Sequence, residues 1–253
     1  MATAKDIVLR PITSKEANKL VKRVHYSGKV VQNSQLHIGV FLDGILEGAM
    51  QFGPSLDKRK IQGLVGGTGW NEFLELNRMA FSDRLPRNSE SRALAVSMRL
   101  MKKHAPQVKW VVTFADGTQC GDGTIYRAAG FALTGIGENK NLARLPDGSV
   151  IHKMTLESNP LASDYMMINE GKNDFSNYLK VKGAERLSGF QLRYIYFIDK
   201  SYRDRLTVPI LPFSAIDDAG ARMYKGEKIT PLVNGDNLAT SQAERFNPDS
   251  EAQ

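Results

Sequence analysis

The sequence predicts a layered α+β (α/β) domain: one central mixed sheet with helices packed around it. Three observations predict it. "LHIGVFLDGILEGAMQFG" breaks at Asp43-Gly44, a residue pair that closes a tight hairpin between two apolar strands. "PRNSESRALAVSMRLMKKHAP" repeats apolar residues at helical spacing. "VKWVVTFAD" is an unbroken, mostly apolar run of strand length.

The elements follow in chain order. "DIVLRPI" reads as a short strand ended by Pro11. Thr13 or Ser14 caps the next helix, with Glu16 in its first turn. Ala17, Leu20, Val21 and Val24 then recur at spacings of three and four, while Lys15, Lys19, Lys22 and Arg23 fill much of the remainder. The helix is amphipathic with a basic outer face, and Gly28 supplies the positive φ that ends it. After the hairpin, "DKRKIQGLVGGTG" is a basic, Gly-rich connection leading to the strand "FLELNRMAFS". Strict alternation puts Leu76, Arg78 and Ala80 on one face of that strand, with Glu75 on the opposite face from Arg78.

In the Met-rich helix, Leu94, Met98 and Met101 form a buried line that Val96 and Leu100 widen, and Asn88 is the cap. "GTIYRAAGF" is a short helix that passes through Gly130 into a strand from Phe131, and "SVIHKMTLE" is a further strand. "FQLRYIYFIDK" reads as a last strand of the sheet, whereas "TVPILPFSAI", broken by prolines, lies along the core. Residues 1–232 make one domain with a polar insertion near 158–189, and 233–253 form a loose polar tail.

Composition narrows the class. With 253 residues and 42% hydrophobic content the chain can bury a sizeable core, and 24% charged residues exclude wholesale disorder. A formal charge of +7 favours polyanionic partners such as nucleic acid or the phosphates of CoA. Cys120 is the sole cysteine, so an intramolecular disulfide and zinc-finger spacing are excluded, which fits a reducing compartment. The start "MATAKDIVLRPITSKEA" lacks a signal-peptide core, and no apolar run reaches the roughly 18 residues of a membrane span. The expectation is a soluble cytoplasmic protein.

Several residues carry chemistry or a plain structural role. His25-Tyr26 in "RVHYSGKV" is a reactive pair or a helix stop. Asp116, at the end of an apolar strand, enters a ligand crevice or caps the following loop. Arg78 needs a phosphate, a carboxylate or solvent. Tyr126 packs or reaches the same crevice, and Cys120 is a small buried residue or a thiol with no histidine nearby in sequence. The first turn of the Met-rich helix offers free amides to a phosphate with Arg87 and Arg92 beside them, while Glu90 opposes an anion. The Lys19, Lys22 and Arg23 face, the "DKRK" run and the group Arg193, Tyr194, Tyr196, Lys200, Arg203 and Arg205 mix charge with aromatic rings, as surfaces that contact phosphate and stack bases do.

Together, "RVHYSG", "ELNRMAFSDRLPRNSESR" and "VVTFADGTQCGDGTIYRAAGF" resemble the Mom DNA-modification proteins of Mu-like phages, over roughly residues 5–215. The resemblance implies a GNAT-like, acyltransferase-related fold. It implies modification of adenine N6 in double-stranded phage DNA to a carbamoylmethyl-type (acetamido) adenine, which shields the DNA from host restriction. It places functional positions at His25, Tyr26, Arg78, Ser91, Asp116 and Tyr126, and a small-molecule donor at Arg87, Asn88, Ser89 and Arg92. The donor is acetyl-CoA or a relative. "RNSESR" departs from the wider acetyltransferase pattern, with Glu90 and Arg92 at positions usually small. His25, Tyr26 and Asp116 also offer N and O ligands compatible with iron, and the metal is left unassigned.

On this reading Asp116 orients the amine and accepts its hydrogen bond, and Tyr126 passes a proton to the departing donor group. His25 activates Tyr26 or binds the donor, and Tyr26 or Tyr194 stacks on a flipped base. A conventional GNAT N-acyltransferase acting on a small molecule or protein is the enzymatic alternative. A noncatalytic DNA-binding module is the other.

Overall fold

The structure, a computed structural model, describes residues 2–158 and 164–229. The expected tail, 233–253, lies outside the described residues. The chain begins with β1 (Val8–Pro11), α1 (Ser14–Val24), β2 (Leu36–Leu42) and β3 (Ile45–Gly53). Thr13 caps α1 reciprocally: its hydroxyl accepts from the Glu16 N–H at 3.2 Å, and its own N–H donates to the Glu16 carboxylate at 2.8 Å. The β2–β3 hairpin turns at Asp43 (φ 50°) and Gly44 (φ 79°), as the Asp-Gly pair requires. The basic connection holds a short helix, α2 (Lys58–Gln62), capped by Asp57. Then come β4 (Phe73–Phe81), α3 (Ser89–His104), β5 (Trp110–Asp116), α4 (Thr124–Ala128) and β6 (Ala132–Glu138).

Leu94, Met98 and Met101 line the buried side of α3 as the spacing predicts, but Ala93 and Ser97 flank them, while Val96 and Leu100 are only partly covered. Asn88 is the cap by position only. It adopts φ 68° and its side chain makes no capping bond.

After β6 the chain makes an excursion. It carries β7 (Leu142–Arg144), β8 (Val150–His152), α5 (Lys153–Ser158), α6 (Tyr165–Ile168), α7 (Phe175–Lys182) and β9 (Glu185–Arg186). The three strands form their own sheet, ordered β8-β7-β9, and Ala143, Leu156, Tyr165, Phe175, Tyr178 and Leu179 form a separate apolar cluster. The excursion opens at Asn139 rather than near Ser158, because "SVIHKMTLE" is not one strand. Only Val150–His152 is extended, and the Lys153–Glu157 pair, four residues apart, suits the helix that follows. Its two ends meet where the Asn139 N–H donates to the Gly189 carbonyl at 2.8 Å.

The chain then returns as β10 (Phe190–Phe197), followed by a 3-10 turn over Lys200–Arg205, α8 (Ala215–Asp218) and the hairpin β11 (Met223–Tyr224) and β12 (Glu227–Lys228). The main sheet is ordered β1-β2-β3-β4-β5-β10-β6, antiparallel except between β4 and β5. Residues 207–213 form no strand, and the Leu211 N–H donates to the Leu133 carbonyl beside the core. One face of the sheet packs Ile38, Val40, Met50, Phe52, Leu76 and Val111 against Leu94, Met98 and Met101 of α3. On the other face, Ala17 and Leu20 of α1 meet Ala49. Beside them, Ile61, Leu64 and Tyr202 cover Phe73, Trp110, Val112 and Ile195.

Candidate active site

The parallel pair β4–β5 positions the site. Its registered partners run only from Phe73–Trp110 to Glu75–Val112. Beyond that point β4 continues to Phe81 alongside β3, and β5 continues to Asp116 alongside β10. The two strands part, and a crevice opens at their carboxyl ends, where open α/β sheets place ligands.

A β-bulge arms one wall of this crevice. Leu76 opposes Phe52 and Arg78 opposes Gln51, so Asn77 is an extra residue without a partner. Its amide donates to the Pro54 carbonyl at 3.4 Å and its oxygen accepts from the Ser34 hydroxyl at 3.1 Å. The bulge corrects the strict alternation expected from sequence: Glu75 and Arg78 now face the same side, that of α1. The side is fixed by Gln51, the cross-strand partner of Arg78, whose amide donates to Asn18 of α1 at 2.8 Å. Burial raises the Glu75 pKa against the lowering pull of Ser55, Asn77 and Arg78. Arg78 donates from Nε to the Lys29 carbonyl at 3.1 Å and from Nη1 to the Asn77 carbonyl at 2.7 Å, which pins the loop after α1 to the sheet.

His25 and Tyr26 lie at that loop's start. Their rings pack at 4.2 Å, tilted by 31° between the planes. Burial, then Arg78, pushes the His25 pKa down to about 4, so the ring is neutral at physiological pH. Its Nδ1 accepts the Ser27 N–H at 3.2 Å, which leaves the proton on Nε2. Tyr26 is 54% exposed, yet its hydroxyl end is turned inward and interacts with the Cys120 thiol. Burial of that end, then Cys120 and Asp116, raises the phenol pKa. The neutral His25 ring packs at a tilt against Tyr26, and its lowered proton affinity weighs for the donor-binding alternative over the activation of Tyr26.

Asp116 ends β5 opposite Gln191. Its Oδ1 accepts from the Thr118 N–H at 3.0 Å and from the Thr118 hydroxyl at 2.5 Å. Thr118 Oγ1 in turn accepts from the Asn139 amide at 3.4 Å. Among the described residues nothing donates to Oδ2, the oxygen left for a ligand. Cys120 lies one turn further on, where burial, then Asp116, pushes its thiol up to about 11. It is a protonated thiol at neutral pH, not a nucleophile.

Tyr126 is 9% exposed and packs between Phe131 and Tyr194 at 5.7 and 5.5 Å. Burial pushes its phenol up to about 12, and the hydroxyl is held by Thr113. Tyr194 is buried, with its hydroxyl on the Asp122 carbonyl, so it offers no face to a base. Arg193 is also engaged, donating to the Thr134 hydroxyl and carbonyl.

The remaining residues form a second group, on α3. Ser91, Asn88 and Arg92 line a cleft of about 330 Å³ with Lys5, Arg99 and Ala128. The Ser91 hydroxyl rests on the Asn88 carbonyl at 3.3 Å, and the Arg92 Nε is buried without a partner. Ser89 is fully buried, its hydroxyl donating to the Pro86 carbonyl at 2.5 Å, and Arg87 is exposed. Ser91 thus belongs with the cleft and not with the Asp116 cluster. Among the described residues no three His, Cys, Asp or Glu side chains converge as metal ligands, so the iron possibility gains no support.

Sequence reading missed Thr118 and Asn139, which hold Asp116, and set Glu75 on the wrong face. The "ADGT" spacing, an Asp two residues before a Thr in a turn, was the available signal for Thr118. The others depend on the bulge and the excursion, which leave no local trace.

Solved structures that the chain resembles include an acetyltransferase from Bacillus subtilis in complex with CoA, at 11% identity and TM-score 0.39, covering 76% of this chain and 97% of that one. A GNAT family acetyltransferase from Elizabethkingia anophelis with acetyl-CoA bound is similar at 13% identity and TM-score 0.38, covering 76% and 98%. The methylcarbamoylase Mom of Escherichia phage Mu is 31% identical over 214 residues, 82% of either chain. The Mom protein family model matches residues 6–215, and the chain belongs to that family.

Proposed function

We propose that the protein transfers a carbamoylmethyl-type (acetamido) group to adenine N6 in duplex phage DNA within the infected bacterium, protecting that DNA from host restriction. The 31% identical relative is named a methylcarbamoylase, which supports a group transfer of this kind. The observation that carries the reading is Asp116: one carboxylate oxygen is tied down twice by Thr118 and the other is free at the mouth of the β4–β5 crevice.

The adenine amine is a poor nucleophile because its lone pair is shared with the ring. A fixed carboxylate oxygen that accepts its hydrogen bond, and then its proton as the new bond forms, offsets this. Reaching N6 requires the base to leave the stack, at a cost of a few kcal/mol, roughly, so the site must supply a flat surface. The exposed Tyr26 ring, backed by His25, offers one, and the buried Tyr194 does not. Arg78 keeps a positive charge beside this surface, and the Lys15, Lys19, Lys22 and Arg23 face of α1 leads from it toward solvent.

The α3 cleft fits the phosphates of a CoA-type donor. Asn88 takes the left-handed conformation that a glycine would otherwise supply, the buried Arg92 Nε lacks a partner, and Lys5 and Arg99 add charge. Such a donor, once bound, would supply the carbon that joins N6, with the bond from that carbon to the donor's sulfur breaking and the thiolate leaving, and Asn88, Arg92, Lys5 and Arg99 would hold its phosphates. The cleft holds it against α3 while Asp116 orients the amine. Mass analysis of nucleosides from DNA co-expressed with the protein tests the reading. A carbamoylmethyl-type adenine is expected, and unchanged deoxyadenosine with soluble protein present overturns it.

A further inference from the structure

The β11–β12 hairpin clasps the turn that carries Asp116. That turn closes on itself where the Cys120 N–H donates to the Asp116 carbonyl at 2.8 Å. The hairpin then binds it at two points. The Lys225 N–H donates to the Cys120 carbonyl at 2.7 Å, and the Gly226 N–H donates to the Gly117 carbonyl at 3.0 Å. Gly121 and Tyr224 form an antiparallel bridge beside them. The approach is close, since a Cβ at Gly117 would lie 3.0 Å from the Met223 side chain. Both donors belong to a two-residue turn, Lys225 (φ 50°) and Gly226 (φ 85°), whose positive φ values match the twist of a tight hairpin. The hairpin lies beyond residue 215, where the match to the family model ends.

The two residues before that turn face opposite ways. Met223 is buried against Gly117 and anchors the hairpin. Tyr224 is 52% exposed. An edge of its ring rests on Gly121, 3.5 Å from where a Cβ would stand, and the Lys225 ammonium lies 5.3 Å from the ring centre. The backbone bonds and Met223 hold the hairpin down without the ring. A half-exposed ring beside a cation is the pairing that stacks on bases and meets phosphate.

We infer that Tyr224 and Lys225 form a DNA contact at the rim of the active site: the Tyr224 ring stacks on the bases beside the target pair as the target base leaves the helix, and Lys225 meets the adjoining phosphate. This rests on the DNA-adenine reading above. The placement favours the duplex over the flipped base as the partner of this ring. Asp116 opens the turn at the mouth of the β4–β5 crevice, whereas Tyr224 rests on Gly121, past the turn's other end, and opens to solvent. A base that leaves the stack deprives its neighbours of their stacking. A side chain that takes the vacated place offsets part of that loss. Because Lys225 and Gly226 are bonded to Cys120 and Gly117, the ring and the Asp116 carboxylate are held as one unit. A duplex docked on the ring therefore presents its target base at a set offset from Asp116.

Two duplexes test the contact, one with the target adenine paired to thymine and one with it opposite an abasic site, where the base leaves the stack more easily. Tyr224→Ala is expected to slow modification of the paired duplex about 5- to 150-fold, the range for one lost ring–base stack. Most of that loss should vanish on the abasic duplex, which also reports that the variant is folded. Tyr224→Phe, which keeps the ring, should recover the rate lost on the paired duplex. Lys225→Asn, whose new side chain tolerates positive φ, should reduce the salt slope of DNA binding by about 0.9, one phosphate contact. Equal loss by Tyr224→Ala on both duplexes overturns the stacking role and makes the hairpin a brace for Asp116 alone. An unchanged rate on the paired duplex overturns it too, and an unchanged salt slope in Lys225→Asn overturns the phosphate contact. Inactivity of the unaltered chain on both duplexes overturns the adenine reading and this contact with it, whereas the other adverse outcomes overturn the contact alone.

Discussion

Glu75 and Arg78 face the same side of the sheet because Asn77 between them is bulged out of the β3–β4 ladder. An arginine three residues from a carboxylate would otherwise lie on the opposite face. Asn77→Val removes the side-chain bonds to Pro54 and Ser34 that hold the bulge, and should let Arg78 leave its setting beside Tyr26. Modification should fall while circular dichroism still reports a folded sheet. A fully active Asn77→Val variant would show that the bulge does not aim Arg78.

Glu75 also carries a stability signature. Burial raises its folded pKa above the unfolded value, so the folded state binds more protons between the two values. Stability from this group is fully present below the unfolded pKa and is lost as pH rises through the folded one. Glu75→Gln should therefore raise the melting temperature at pH 7 while leaving it nearly unchanged at pH 4, and should lower activity by loosening Arg78. A melting temperature that falls at pH 7 would contradict this.

His25 has the opposite sign. Its folded pKa is depressed to about 4, so the unfolded state binds more protons between that value and about 6.5. Its contribution is present above pH 6.5 and is lost as pH falls toward 4, by up to about 3 kcal/mol before discounting for partial exposure. His25→Gln should flatten the acid limb of a stability-against-pH curve. An identical limb in both proteins would place the acid-sensitive group elsewhere.

Chemistry and docking should separate. Asp116→Asn is expected to abolish modification with DNA affinity nearly intact. Thr118→Val, which removes one of the two donors to Oδ1, should lower the rate about 10-fold by freeing the carboxylate. Replacing Lys19, Lys22 and Arg23 by Ala should weaken binding to all sequences and reduce the salt slope by about 0.9 per lost phosphate contact. These side chains are exposed, so stability should change by less than about 0.5 kcal/mol. An unchanged salt slope would move the docking face to "DKRK" or to Lys200–Arg205.

The donor cleft has its own signature. Arg92→Gln should raise the KM for a CoA-type donor about 10-fold while the Kd for DNA stays constant, because the orphaned Nε lies in the α3 cleft and not near Tyr26. Equal effects on both ligands would dissolve the division into two groups.

Elements whose signals are local were legible in the sequence. The Thr13–Glu16 cap, the Asp43-Gly44 turn and the Met-rich helix each follow from residues a few positions apart. The placement of Asp116 at a strand end followed from one apolar run. The facing of Arg78 did not, since a bulge is one inserted residue whose cause lies in Pro54 and Ser34, far along the chain. Nor did the burial of Tyr194, which depends on Tyr126 packing against it from α4. His152 was read as a residue of one continuous strand because alternation cannot register the switch to helix at Lys153.

The position of β10 between β5 and β6 has a consequence for folding. β5 and β6 are complete by residue 138, yet neither pairs with the other, and the strand that joins them starts only at Phe190. On the ribosome both edges stand open until the whole excursion has been made, and contacts of such long sequence separation close slowly. Because Gln191 is the registered partner of Asp116, that closing strand also fixes the backbone from which the carboxylate projects. A chain stopped anywhere before Phe190 should be aggregation-prone and inert, and the protein acquires its chemistry only in the final stage of its synthesis.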